Sequence, residues 1–125
     1  MGTVRRVVVA DADAPMRNLV HLTLAGESWS VRDAVDAAST VRAVAAEVPD
    51  VLVLDADLPE VGGLATARAL RQQPQTAGIG VVLLTDLTRP VSAGDLAEAR
   101  IDVVLERPFG SFELLEAVEE ALGGR

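Results

Sequence analysis

The chain is 125 residues long, half hydrophobic and 24% charged, with a formal net charge of -8 and no cysteine. These values predict one globular domain, residues 1–125, with enough chain to bury one core. They argue against direct nucleic acid binding by this domain, against disulfide or thiol chemistry and, with no apolar run of spanning length and no signal peptide in view, against a membrane protein; the expected location is the cytoplasm.

Aromatic residues make up only 2% of the chain, so the core must be built from Val, Leu and Ala. Residues 4–10 (VRRVVVA) read as a first strand that ends in the acidic turn Asp11-Ala12-Asp13. Pro15 suits a first helical turn, and Met16, Leu19, Val20 and Leu24 follow at helical spacing up to Gly26. Residues 29–32 read as a short strand at a sheet edge. Val41, Val44, Ala45 and Val48 mark a second helix that ends before Pro49. The run 51–54 (VLVL), closed by Asp55, is too short for a buried helix and suits a strand covered on both faces. Asp57, Pro59, Gly62 and Gly63 then signal a loop. Leu64, Ala67 and Leu70 space a third helix, and residues 72–80 close it.

Residues 81–84 (VVLL) form another continuous apolar strand, which ends at Thr85-Asp86. Residues 88–100 contain Pro90 and Gly94 and predict a short, weakly packed helix. Residues 101–105 give a fifth strand, followed by Glu106-Arg107-Pro108-Phe109. The last helix places Phe112, Leu115, Val118 and Leu122 on one face, with Glu113, Glu116, Glu119 and Glu120 as a solvated remainder, and ends at Gly123-Gly124. His21, the single histidine, reads as a polar face residue and Trp29 as a packing residue.

Strands alternating with helices predict an α/β three-layer sandwich, a five-stranded parallel sheet in the flavodoxin-like order 2-1-3-4-5 with five helices. In that order the first and third strands are neighbours at the topological switch point, where open α/β sheets place their chemistry. Asp11/Asp13 and Asp55/Asp57 then meet in one crevice, with Thr85/Asp86 and Arg107 on the adjoining strand ends. Asp55 alone could simply cap a turn; the convergence of three polar strand ends favours a functional role.

In order and spacing, VVVADADAPMR, DADLPEVGG with Leu58-Pro59, Thr85 and ERPF resemble the receiver domain of two-component response regulators over the whole chain, in the manner of the chemotaxis regulators. The resemblance implies Asp55 as phospho-acceptor for a sensor histidine kinase or a phosphotransfer protein. It implies Mg²⁺ held by Asp11, Asp55 and the Asp57 backbone carbonyl, with Asp13 a further candidate. The Thr85 hydroxyl and a cation on the fifth strand, here Arg107, would hold phosphoryl oxygens. Phosphoryl transfer to a carboxylate needs these parts: an oxygen nucleophile, a divalent ion to gather charge, and donors for the phosphoryl oxygens. An output domain or a homodimer would carry the signal onward.

Several positions depart from the family's pattern. Ala12 replaces the second acid of the turn, a direct metal ligand in the family. Arg107 replaces a lysine, a planar fork in place of a point charge. Asp86 stands where a small residue is usual, Gly62 where an aspartate is common, and Val104 where a switching aromatic is expected. Asp13 either points into the crevice or caps the following helix, and Asp86 either charges its mouth or faces solvent. These departures raise a second reading, a degenerate receiver that acts as an interaction or ligand-sensing module without phosphorylation. A third reads Asp11-Ala12-Asp13 as the DxD nucleophile motif of haloacid-dehalogenase-type phosphatases. It leaves Asp55 and Pro108-Phe109 unexplained, and the chain lacks that family's late acidic pair and cap.

Overall fold

The computed structural model describes residues 4–26, 28–86, 88 and 90–123. Five strands alternate with five helices: β1 (Arg5–Ala10), α1 (Ala14–Leu24), β2 (Trp29–Ala34), α2 (Ala37–Ala46), β3 (Val51–Asp55), α3 (Gly63–Arg71), β4 (Gly80–Asp86), α4 (Ala93–Ala99), β5 (Val103–Arg107) and α5 (Ser111–Gly123). All strand pairs are parallel, in the order β2-β1-β3-β4-β5. This is the flavodoxin-like α/β fold that the alternation of apolar runs predicts, with β2 at an edge.

The central strands are buried on both faces because both faces are covered. Val8, Ala10, Leu52, Leu54, Val81 and Leu83 pack with α2, α3 and α4. Val7, Val9, Val51, Val53, Val82 and Leu84 point the other way, onto α1 and α5. Local signals start the helices. Asp13 caps α1 with Pro15 in its first turn, Asp36 and Ser39 form a capping box on α2, and the Ser92 hydroxyl caps α4.

Three expectations shift. On α2 the buried face is Ala37, Thr40, Ala43 and Val44, while Val41 and Val48 are largely exposed. On α5 it is Leu114, Ala117, Val118 and Ala121, leaving Phe112 67% exposed. In both helices small residues face the sheet and let the helix approach closely. The fifth strand starts at Val103, not at residue 101. Arg100 turns left-handed (φ 52°), and the Ile101 amide donates back to the Leu96 carbonyl. Residue 101 thus finishes α4 before the ladder begins.

A buried arginine ties this far end of the sheet together. Arg71 donates to the carbonyls of Ala99 (3.2 Å), Ala77 (2.7 Å), Ile79 (2.6 Å) and Arg100 (2.7 Å). It also pairs with Asp102, whose carboxylate accepts from the Val81 amide.

At the opposite end, two glycines shape the loop after β3. Gly62 has φ +87°, a left-handed conformation that any side chain, including the aspartate usual in the family, would adopt only under strain. At Gly63 a Cβ would stand 2.4 Å from the Asp55 carbonyl oxygen. The start of α3 is therefore backed directly against the end of β3. Gly63→Ala is expected to lower stability by about 1–3 kcal/mol, the usual cost of overpacking, and to displace Asp55. A denaturant midpoint equal to wild type would show that this strand end yields freely.

Candidate functional site

Strand register assembles the crevice. Ala10 pairs with Leu54, which brings Asp11 level with Asp55. Asp55 pairs with Leu84, so Thr85 lies one residue beyond it on β4, and Asp86 pairs with Arg107 on β5. Asp11, Asp55 and Thr85 are all buried.

The Arg107 side chain reaches across β4 and joins both carboxylates. Its Nη2 donates to Asp11 Oδ2 at 3.0 Å and to Asp55 Oδ1 at 3.4 Å. Backbone amides hold the same carboxylates from below: Asp13 N–H donates to Asp11 Oδ1 (2.9 Å) and Asp57 N–H to Asp55 Oδ1 (3.0 Å). Burial pushes the Asp11 carboxyl above the ordinary carboxylate value, and the neighbouring Asp55 and Asp13 add to this. The Asp13 amide and the Arg107 guanidinium oppose the rise without cancelling it.

The remaining candidates separate by what they touch. Asp13 Oδ2 accepts from the Met16 amide at 3.1 Å, so its carboxylate serves the N-terminus of α1. Asp86 Oδ1 accepts from the Thr88 amide at 2.9 Å, a local turn contact. Ala12 is exposed and contributes no side-chain oxygen, and Val104 is 42% exposed on β5. His21 is on the polar face expected of it, with Nε2 2.6 Å from Asp33 Oδ1. Trp29 packs with the α1/α5 side of the core beneath the Arg5 guanidinium.

Two supporting residues carry no sequence signal of their own. Arg17 donates through Nη1 to the Asp11 carbonyl (2.8 Å) and through Nε to Asp33, fixing the acidic turn from α1. Glu60 adopts φ +86° and its carboxylate accepts from the Ala38 amide at 2.9 Å, tying the loop after β3 to the start of α2. A helical spacing of four marks Arg17 as surface, and nothing local marks Glu60.

The family model for the response regulator receiver domain matches residues 7–119. The chain belongs to the response regulator receiver family. The receiver is 31% identical over 123 residues to the DNA-binding response regulator MtrA of Mycobacterium tuberculosis, covering 98% of this chain and 53% of that protein. It is 30% identical over 117 residues to the DNA-binding dual master transcriptional regulator RpaA of Synechocystis sp., covering 94% and 48%. The receiver thus spans about half the length of these curated relatives. Its fold matches the chemotaxis response regulator CheY4 of Vibrio cholerae with a TM-score of 0.88 at 24% identity, over 96% of this chain and all of that one. It also matches the signal receiver domain of an HD domain-containing protein from Pseudomonas fluorescens, with a TM-score of 0.83 at 22% identity, over 99% and 91%. Membership implies a histidine kinase as partner, and the DxD phosphatase reading falls away. No helix among the described residues is long and apolar enough to cross a membrane.

Receiver domains generally bind Mg²⁺. Among the described residues of this one, no three acidic or histidine side chains converge as metal ligands. Two carboxylates are present, both engaged by a guanidinium, with a methyl group at residue 12. Mg²⁺ is usually bound through one or two carboxylates and several waters, and here Arg107 already occupies both carboxylates that would hold it.

The raised Asp11 carboxyl has a definite sign. Its proton is held more tightly folded than unfolded, so stability falls as pH climbs from the unfolded value of 3.8 towards the higher folded one, and the deficit persists at neutral pH. Asp11→Asn is therefore expected to melt above wild type at pH 7, with the gain shrinking as pH falls from the raised folded value towards 3.8 and absent below it. A variant that melts lower than wild type at pH 7 would reverse the sign of this assignment.

Proposed function

We propose that residues 1–125 form one receiver domain that accepts a phosphoryl group on Asp55, from a sensor histidine kinase or a phosphotransfer protein, and passes the signal on by conformational change. The observation that carries this reading is the Asp55 carboxylate, buried at the end of β3 within reach of a cation from β5. An Asp55 oxygen attacks phosphorus, the bond from phosphorus to the donor imidazole nitrogen breaks, and that nitrogen keeps the electron pair. The Thr85 hydroxyl donates to one phosphoryl oxygen. The Arg107 guanidinium, released from Asp55, donates to another and offsets the charge that gathers there. Asp11 keeps the acceptor's neighbourhood negative, and Asp57 contributes its backbone turn. Asp11, Asp55 and the Asp57 carbonyl are the groups that would hold Mg²⁺, which would gather charge at the phosphoryl oxygens; Arg107 now occupies the two carboxylates. Asp13 is bound up in capping α1.

The protein as a whole would act in the cytoplasm. By the example of its relatives, its output is regulation of DNA through a domain beyond these residues, or through a homodimer. The receiver's own net charge of -8 gives it no electrostatic pull on DNA.

A second reading rests on the bridge itself. Arg107 already holds Asp55 in a paired arrangement, as an interaction module independent of phosphorylation would require.

Intact mass after incubation with acetyl phosphate or phosphoramidate distinguishes the two. Wild type should gain one phosphoryl group and Asp55→Asn none. Arg107→Lys should label faster, because a point charge releases the acceptor more readily than a fork, and its combination with Ala12→Asp should exceed wild type by more than about tenfold, or ~1.4 kcal/mol of barrier. Equal gain in Asp55→Asn would remove Asp55 as acceptor. No gain in any folded variant would leave the phosphorylation-independent module.

A further inference from the structure

The crevice between β1 and β3 is built around a positive charge, and the chain supplies that charge. Three of the four carboxylate oxygens of Asp11 and Asp55 accept hydrogen bonds, two from backbone amides of the turns that follow and two from Arg107, with Asp55 Oδ1 shared. The bridging Nη2 lies between the two side chains, at the place where a cation shared by them would stand. Arg107 is 26% exposed, whereas its partners are 2% and 11% exposed, so the pairing is screened from water on the carboxylate side.

We propose that Arg107 is the resident cation of this crevice, standing in for a bound divalent ion, so that the acidic site is charge-compensated and the receiver is fully folded without Mg²⁺. Ala12 is the other half of the arrangement. With no third carboxylate, one guanidinium leaves the site only one charge short of neutrality. A Mg²⁺ ion would have to displace that guanidinium and pull both carboxylates off their present partners. Arg107 thereby competes with metal, and Ala12 removes the ligand that would let metal win. This inference rests on the crevice alone and stands whether or not Asp55 is phosphorylated.

The test reads metal binding without any phosphodonor. Thermal melts of the whole chain are recorded with and without millimolar Mg²⁺ at matched ionic strength. Ligand that binds only the folded state raises Tm. Wild type should shift by less than about 1 °C, and Arg107→Gln by at least about 3 °C. Without metal, Arg107→Gln should melt below wild type, because two carboxylates lose their common partner. Ala12→Asp should show a shift between the two. A wild-type shift as large as that of Arg107→Gln would overturn the proposal. Should Arg107→Gln fail to fold, Mn²⁺ added to wild type still decides it. Absence of selective broadening at the amides of Ala10, Asp11, Ala56 and Asp57 at micromolar Mn²⁺ supports a resident guanidinium, and selective broadening there refutes it.

Discussion

One guanidinium reconciles two carboxylates that the sheet brings together, and the functional edge of the molecule depends on it. Unit charges about 4 Å apart interact by ~4 kcal/mol at the effective dielectric of a protein surface, so Asp11 and Asp55 side by side oppose the register that aligns them. Much of the attraction to Arg107 is offset by desolvation. Its weight is felt mainly when it is absent, because two buried charges would then face each other without a partner. The backbone is arranged around the same need: an amide two residues on supports each carboxylate, and Arg17 holds the Asp11 carbonyl from behind.

The sheet order and the positions of the acidic strand ends were legible because they rest on signals with few alternatives. Runs such as VLVL and VVLL cannot be buried on both faces except in a covered parallel sheet. An aspartate that closes such a run must lie at its carboxyl end. Helix faces were less legible, because hydrophobicity and proximity to the sheet are different properties. Val41 and Phe112 are the more apolar residues, but Thr40 and Ala117 are the ones a closely approaching backbone can accommodate. The start of β5 was hidden in the same way. Residue 101 is β-branched and apolar, but the left-handed Arg100 commits its amide to closing α4.

At the site, residue types were readable and partners were not. Nothing in the spacing tells whether Asp13 or Asp86 turns inward. Each accepts from a nearby amide, Met16 and Thr88 respectively, as short carboxylates at turns and helix starts commonly do. Arg107 does the opposite: its length lets it cross a whole strand to the deepest negative charge available. Arg71 and Glu60 escaped notice because most of their partners are backbone groups, several of them far away in sequence, and those leave no trace in composition or periodicity.

Arg71 also determines how the end of α4 is held. That helix has seven residues and, among the described ones, a single buried residue, Ala99, at its last position. Arg71 grips the carbonyls of Ala99 and Arg100, next to the loop that leads into β5. The helix is therefore pinned at its C-terminal end, with an arm roughly 10 Å long, at ~1.5 Å per residue, that is held on the core by Leu96 and to α3 by the Arg68–Glu98 ion pair. The arm points back towards the end of β4, where Thr85 and Asp86 lie. The surface offered at α4 thus rests on few buried contacts, while the core beneath it is closed.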